Sequence, residues 1–341
     1  MPSPIVVVGS INLDLVCTGK RIPAPGETLK SDKFQSFHGG KGANQAVAVA
    51  RLGYPVNMIG KVGDDEFGIR LRRGLRDARA GIRGVSVAKG MSSGVALITV
   101  DSTGQNSISV VAGANDRLLP RDIEKILPQM RSVGMILTQL EIPMETVDYL
   151  CTMARRFGIP VMLDPAPARP IPRKVLRNVT YLTPNETETC ALCGLAPGEL
   201  TPANVASVAE LLLASGPAAV IVKMGSHGAY IAGADGLRRM IPAFKVKAVD
   251  STAAGDAFNA GLAVGLLRGM SLAEAGRYGA AVGALCTTCA GAQTSMPSAS
   301  EVDRLLASST AKPARIREKK ERSRLRQRRA PTSSSEFGLR G

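Results

Sequence analysis

The sequence predicts an α/β protein in which helices cover both faces of a mostly parallel central sheet, with a small β-sheet projecting from it as a lid. A chain of 341 residues can bury a full core. Apolar, β-branched runs alternate with helical patterns along most of the chain. Two further segments alternate apolar and polar residues with no long helix between them. Alternating strands and helices form parallel sheets with helices on both faces, which gives a three-layer α/β/α arrangement.

The first predicted strand of the central sheet is Ile5–Val8, an apolar run that ends at Gly9. Such a run is typical of a parallel strand that is buried on both faces. The other strand-like runs lie at 56–62, 134–138, 161–164, 179–183 and 219–223. The helical patterns lie at 43–52, 67–78, 143–157 and 203–214, and a short last helix is predicted at about 300–306.

The segments 15–35 and 94–111 are predicted to form the lid. They carry the turn signals Pro25-Gly26 and Ser102-Thr103-Gly104, and their alternation is typical of half-buried antiparallel strands. An apolar face on this small sheet could also pair two copies of the chain. We therefore expect a homodimer that forms through the lid.

About half of the net charge of +15 lies at the C-terminus, where residues 312–341 hold eleven Lys or Arg and three Glu. Residues 1–309 are predicted to form one domain, and residues 310–341 a basic, disordered tail. The alternative for the tail is weak, nonspecific binding of nucleic acid. A membrane-spanning helix needs about 18 apolar residues in a row, and every apolar run in this sequence is far shorter. The N-terminus lacks the pattern of a secretory signal, so a cytoplasmic location is expected.

The sequence offers few groups for proton transfer or transition-metal binding. It has two histidines and six cysteines, with two C-x-x-C pairs at Cys190/Cys193 and Cys286/Cys289. The separation of these pairs is far larger than the about 15–20 residues of common structural zinc sites. Buried, apolar packing of the cysteines is favoured over zinc. Proton transfer must therefore fall to a carboxylate or a lysine.

The most informative segment runs from Ala248 to Phe258. A strand-like approach at 244–249 is followed by small residues and then by an Ala- and Leu-rich helical pattern. The first N–H groups of a helix are unpaired and bind phosphate or a developing oxyanion. A carboxylate in this segment, Asp256, suggests a base that deprotonates a hydroxyl beside a phosphate, as in a kinase. The alternative is an ordinary Asp that the helix dipole favours.

Polar residues also follow the predicted first strand and open the first long helix. Asn12 and Asp14 lie at the carboxyl end of the strand, where ligands bind in parallel sheets. An amide and an acceptor carboxylate suit sugar hydroxyls, although turn capping is the alternative. The run Gly39-Gly40-Lys41-Gly42-Ala43-Asn44 is a glycine-rich helix entry but not a Walker loop. A plain helix entry with a surface lysine is its alternative.

Two later strand ends carry comparable signals. Asn185 and Glu188 lie three residues apart, on one face of a short helix. Glu188 could hold Mg²⁺ through water, or the pair could complete a capping box. The glycine-rich turn from Lys223 to Gly228 suits contact with a nucleotide or a plain hairpin.

The order and spacing of these four segments resemble the ribokinase-like (PfkB-type) carbohydrate kinases, over about residues 5–306. The runs Gln139-Leu140-Glu141 and Asp164-Pro165-Ala166-Pro167-Ala168 fit the same family. The resemblance implies ATP-dependent phosphorylation of D-ribose at the 5-hydroxyl, with Mg²⁺ and an activating K⁺. A kinase of deoxyribose, another sugar or a nucleoside is the alternative, because a few polar contacts set substrate choice.

The resemblance also implies roles for individual residues. Asp256 would be the general base, and the amides of Ala253, Ala254, Gly255 and Asp256 would bind the transferring phosphoryl group. The sugar would be held by Asn12, Asp14, Gly40, Lys41, Asn44, Glu141 and Asp256. The nucleotide would contact Asn185, Lys223, Gly225, Gly228 and Gly255, with Glu188 positioning Mg²⁺ through water. The monovalent cation would be bound at Asp250, Thr252, Cys286, Cys289, Gly291 and Ser295.

Two positions depart from the family pattern. Ser251 replaces a commoner Thr, and Ala280 stands where a larger side chain often contacts adenine. The second departure leaves the adenine contacts open.

Overall fold

A nine-stranded sheet forms the centre of the computed structural model, which describes residues 2–125 and 132–310. The predicted tail, apart from residue 310, lies outside the described residues. One compact unit ends at Val302 and a second begins at Asp303. The predicted domain boundary after residue 309 stays a prediction.

The strands follow the apolar runs of the sequence closely. They are β1 (Ile5–Val8), β2 (Asn12–Thr18), β3 (Lys33–Gly39), β4 (Val56–Gly63), β5 (Gly81–Ala88), β6 (Gly94–Val100), β7 (Asn106–Val111), β8 (Met135–Thr138), β9 (Val161–Leu163), β10 (Tyr181–Leu182), β11 (Ala219–Lys223), β12 (Ala229–Gly233) and β13 (Arg238–Ile241).

The helices lie between the strands or follow them. They are α1 (Lys41–Arg51), α2 (Glu66–Asp77), α3 (Pro120–Glu124), α4 (Met144–Arg156), α5 (Arg173–Leu176), α6 (Glu186–Cys193), α7 (Val205–Leu213), α8 (Ala254–Leu267), α9 (Leu272–Cys286) and α10 (Ala299–Thr310). Among the described residues, no helix is both long and apolar enough to cross a membrane.

The predicted fold class is confirmed. The central sheet has the order β13-β12-β11-β10-β9-β8-β1-β4-β5, and all neighbouring strands are parallel except β11–β12 and β12–β13. Successive side chains point to opposite faces. Val6 and Val8 of β1 pack with Leu150 of α4 and Val208 of α7 in one core cluster, while α8 packs with both α1 and α9.

Three strands of the central sheet, β5, β12 and β13, were not predicted, and one predicted strand is absent. The run 244–249 has no regular secondary structure in the described chain. Sheet pairing instead ends at Ile241, because Pro242 has no N–H to donate to a neighbouring strand. The approach to α8 is therefore an irregular segment, although it is apolar.

The small sheet has the order β3-β2-β6-β7 and occupies parts of both predicted lid segments. The pairs β2–β3 and β6–β7 are antiparallel, as predicted. The central pair β2–β6 is parallel, which differs from the prediction. The chain passes through β4, α2 and β5 between these two strands, and a crossover of this length permits parallel pairing.

Candidate active site

Several polar residues of the site lie at the carboxyl ends of the parallel strands, where ligands bind in sheets of this kind. Gln139 follows β8, Asp164 follows β9, and Lys223 is the last residue of β11. The first turns of α1 and α8 meet at this edge of the sheet, because Asn44 of α1 is bonded to Asp256 of α8. Residues that are far apart in the sequence therefore share one site.

Asp256 lies in the first turn of α8 and is 4% exposed. Its two carboxylate oxygens accept hydrogen bonds from different residues of α1: Oδ2 from Asn44 Nδ2 at 3.0 Å and Oδ1 from Gln45 Nε2 at 3.1 Å. Burial raises the pKa of Asp256 to about 6, although the charge of Lys41 opposes the shift. A carboxylate with this pKa is ionised at neutral pH and yet basic enough to accept a proton.

The backbone that leads into α8 is strained at Ala253, which has φ 59° and is the N-cap residue. A left-handed conformation is unfavourable for alanine and is frequent at functional sites. The residues of this helix start line the cavity described below. The amide of Ala254 donates to Ser251 O at 3.2 Å, so this member of the predicted amide set is already engaged.

A buried polar network extends from Asp256 along the strand ends. Gln45 Nε2 also donates to Asp164 Oδ2 at 3.3 Å, and Gln45 Oε1 accepts from Gln139 Nε2 at 2.8 Å. Lys223 Nζ donates to Asp164 Oδ1 at 2.9 Å. The sequence reasoning assigned no role to Gln45, Gln139 or Asp164. The only signal for them was their place inside or beside runs that carried the family resemblance.

The predicted sugar-side residues form a second group around the entry of α1. Gly40 has φ 84°, and a Cβ on it would lie 2.7 Å from Asn12 N, so only glycine fits between β2 and α1. The amide of Lys41 donates to Glu141 Oε2 at 3.1 Å. Ser10 Oγ donates to the same oxygen, a contact that the sequence reasoning missed. Glu141 is therefore bonded both to the first residue of α1 and to Ser10.

Several charged side chains lie close together around the entry of α1. Burial, with the charges of Glu141 and Asp256, raises the pKa of Asp14 to about 7. Burial lowers the pKa of Lys41, but the charges of Asp256 and other carboxylates outweigh it and raise this pKa above its usual value. Lys41 therefore stays protonated beside the carboxylates.

A cavity of about 690 Å³ opens on the other side of Asp256. All the residues predicted to contact the nucleotide line it, together with Glu188, Ala280 and two residues at the start of α8: Asn185, Lys223, Gly225, Gly228, Gly255, Glu188, Ala280, Ala253 and Ala254. Of the predicted sugar residues, only Lys41 and Asp256 line it. Cavities that hold small-molecule ligands are commonly about 300–1,000 Å³. Asp256 and Lys41 thus lie between the two groups.

Asn185 and Glu188 form the capping box that was one alternative for this pair. Asn185 Oδ1 accepts from Glu188 N at 2.8 Å, and Glu188 Oε2 accepts from Asn185 N at 2.7 Å. Glu188 Oε1 accepts from Asn185 Nδ2 at 2.9 Å. Burial raises the pKa of Glu188, although the charge of Lys223 opposes the shift. Each group thus holds the other in place at the wall of the cavity.

All six predicted cation ligands are connected by hydrogen bonds beside α8, Cys289 through its amide, which donates to Cys286 O at 3.5 Å. Asp250 accepts from Thr252 N at 2.9 Å and from Gly291 N at 2.8 Å. Cys286 Sγ lies 3.6 Å from Thr252 O and 3.1 Å from Ser295 Oγ. Cys289 is exposed, and its sulfur lies 3.8 Å from Thr288 Oγ1. The described cysteines, in both C-x-x-C pairs, are free thiols.

The fold and this site together define a carbohydrate kinase. Residues 3–299 match the family model for pfkB family carbohydrate kinases, and the chain belongs to that family. It is 40% identical over 306 residues to a ribokinase of Schizosaccharomyces pombe, which covers 88% of this chain and 96% of that protein. A deoxyribokinase of Salmonella typhimurium is 36% identical over 303 residues, covering 89% of this chain and 98% of that protein.

A solved structure has the same fold. It is the Arabidopsis thaliana ribokinase complexed with ribose and ATP, with a TM-score of 0.83 and 34% sequence identity. The match covers 90% of this chain and 99% of that chain.

The raised pKa of Asp14 predicts a pH-dependent stability cost. The folded-state pKa of about 7 lies above 3.8, the ordinary pKa of an aspartate side chain, so stability is lost as the pH rises between these values. Asp14→Asn removes this ionisation. Its melting temperature should exceed that of the wild type at pH 8, and this advantage should disappear towards pH 4. Thermal melts of the unliganded protein at the two pH values measure the effect.

Asp101→Asn is the matched control, for which the change in melting temperature should have the opposite sign, because a hydrogen bond from Thr103 lowers the pKa of half-buried Asp101. It should melt below the wild type at pH 8. An Asp14→Asn advantage that is equal at both pH values would contradict the assignment.

Proposed function

We propose that this chain transfers the γ-phosphoryl group of ATP to the 5-hydroxyl of D-ribose. The observation that carries the proposal is the position of Asp256, a buried carboxylate between a nucleotide-sized cavity and a group of sugar-binding residue types. The similarity to named ribokinases over most of the chain supports the same substrate. A deoxyribokinase at 36% identity makes deoxyribose the second candidate.

In the proposed reaction Asp256 accepts the proton of the sugar 5-hydroxyl as the oxygen attacks the γ-phosphorus. Asn44 and Gln45 hold the two carboxylate oxygens in a fixed orientation. The pKa of about 6 leaves the group deprotonated at neutral pH. A positioned base of this kind contributes roughly 10²–10⁴-fold to the rate.

Backbone hydrogen-bond donors and lysine ammonium groups beside the cavity would stabilise the negative charge of the transferring phosphoryl group. They are the amides of Ala253, Gly255 and Asp256 and the side chains of Lys41 and Lys223. A Cβ on Gly255 would lie 3.3 Å from Lys223 Nζ, so this ammonium group lies against the start of α8. An anion here would compete with Ser251 O for the amide of Ala254. Loss of one such donor typically raises the activation free energy by about 2.7–4 kcal/mol.

The donor chemistry of the chain fits two cations. Glu188 is a buried carboxylate on the cavity wall and would position Mg²⁺ through water, with Asn185. Mg²⁺ bound with ATP neutralises phosphate charge. Oxygen atoms of Asp250, Thr252, Cys286, Cys289, Gly291 and Ser295 would hold K⁺. Carboxylate, carbonyl and hydroxyl oxygens are hard donors, as these ions require.

The assignment of Asp256 is tested by Asp256→Asn, which keeps the shape of the side chain but cannot accept the proton. We expect kcat for D-ribose to fall by at least about 10²-fold, with ribose affinity changed only slightly. ADP release should be measured with ribose, deoxyribose, other sugars and nucleosides. Wild-type turnover should be fastest with ribose and should decline below about pH 6 as Asp256 is protonated.

Asp235→Asn, in the exposed turn between β12 and β13, is the control and should keep wild-type kcat. Near-native turnover of Asp256→Asn would refute the base assignment. A preference for another alcohol would refute ribose as the substrate.

The proposed K⁺ site predicts that kcat is higher in potassium chloride than in tetramethylammonium chloride at equal ionic strength. A bound cation would compensate the oxygen dipoles of the 250–256 segment and so order the start of α8. Steady-state rates in potassium, sodium and tetramethylammonium salts measure the effect. Equal rates in all three would rule out activation.

We also propose that the lid pairs two copies of the chain. Ile108 and Val110 are two residues apart on β7, hence on one face of this small sheet, and are 54% and 56% exposed; exposed apolar patches mark interaction surfaces. Ile108→Lys together with Val110→Lys should convert a dimer into a monomer in sedimentation velocity. Leu211→Lys, at an apolar α7 residue that is 65% exposed, should leave assembly unchanged. A wild type that is monomeric at every concentration would disprove the dimer.

A further inference from the structure

Asn115 is a buried side chain that connects the end of the lid to Asn12. It lies in a short 3₁₀ helix, Gly113–Arg117, just after β7, and is 2% exposed. Its Oδ1 accepts from Ile11 N at 2.9 Å, and its Nδ2 donates to Asn12 Oδ1 at 2.7 Å and to Ile11 O at 3.4 Å. The side chain thus pairs with the backbone of residue 11 in the manner of a neighbouring strand.

These bonds determine which way both amides point. The N–H of Ile11 can only donate, so Asn115 must turn Oδ1 towards it and Nδ2 towards Asn12. An amide NH₂ also can only donate, so Asn12 presents Oδ1 to Asn115. Asn12 Nδ2 donates no hydrogen bond to any residue of 2–125 or 132–310. The free end of Asn12 is therefore a donor.

The space for this contact depends on Gly94, the first residue of β6. A Cβ on Gly94 would lie 2.2 Å from Asn115 Nδ2 and 2.2 Å from Asn12 Oδ1. No larger side chain fits there without displacing one of the two amides. The contact is thus built from three separate segments of the chain.

Asn12 and Asp14 are two residues apart on β2 and point to the same face of the small sheet. A donor at Asn12 and an acceptor at Asp14 are complementary to one hydroxyl group, which both accepts and donates. An ether or a carbonyl oxygen could not donate to Asp14. The orientation of Asn12 therefore bears on which chemical group the sugar side of the site selects.

Resting on the proposed function, we propose that Asn115 is a positioning residue for substrate selection. It holds the Asn12 amide with its N–H groups towards the sugar, so that Asn12 and Asp14 together recognise a hydroxyl. Asn115 acts through Asn12 and does not itself touch the reacting atoms.

Asn115→Asp tests this directly, because a carboxylate cannot donate to Asn12 Oδ1. Asn12 would rotate to donate to the new carboxylate and would then present an acceptor to the sugar. We expect the KM for D-ribose to rise about tenfold or more, with kcat and the KM for ATP within about twofold. Asn115→Ala removes the same donor without adding a buried charge and should also raise the ribose KM. Asn57→Asp, at an exposed position on β4, is the matched control and should leave all three constants unchanged.

A double-mutant cycle separates positioning from general structural support. In an Asn12→Ala background, Asn115→Asp should change the ribose KM by less than about twofold, because its target is gone. An increase in the ribose KM that is as large in the Asn12→Ala background as in the wild type would overturn the proposal. So would a wild-type ribose KM in Asn115→Ala, with thermal melts showing that the variant is folded.

Calorimetric titration of the wild type with D-ribose makes the two possible failures distinguishable. If the wild type neither binds nor phosphorylates ribose, the proposed function is wrong and this inference falls with it. If the wild type is active and both Asn115 variants keep its ribose KM, the inference alone is overturned.

Discussion

The carboxylate of Asp256 is almost fully buried, and the residues around it must keep this group able to ionise. An isolated buried carboxylate would stay protonated, because burial penalises the charged form. Here two side-chain amides from α1 bond to its oxygens, and the Lys41 charge opposes the shift, so that the pKa is about 6. The packing of α1 beside α8 is the condition for this balance.

The need to keep Asp256 ionisable also accounts for the polar side chains that lie around it and its hydrogen-bond partners. Gln45 is shared between Asp256 and Asp164, and Asp164 is also bonded to Lys223. Gln139 in turn holds the acceptor end of Gln45. Each of these polar side chains is buried, and a buried polar group is costly unless it is bonded. The network therefore orients the first turn of α8 while satisfying most of its own members.

The concentration of charge has a cost for the unliganded protein. Asp14 and Asp256 both have raised pKa values, and the charge of Asp256 also contributes to the raised pKa values of Asp14 and Lys41. Proteins often retain such unfavourable arrangements where binding or catalysis requires them. Ala253, in its left-handed conformation at the same helix start, is a further example.

Residue order was sufficient for the α/β alternation, the lid segments, and the strand-end position of Asn12, Asn185 and Lys223, because hydrophobic period and turn residues are local properties. It also carried the family resemblance that the comparisons bear out. Local patterns failed at 244–249, where an apolar run is not a strand, and at β2–β6, where a crossover makes the pair parallel.

Which side chains meet was settled by folding. The contacts of Asp256 with Asn44 and of Asn115 with Asn12 join residues 212 and 103 positions apart. No periodicity encodes such distances. They follow from the order of strands in the sheet and the packing of helices on it, and these depend on the whole core at once.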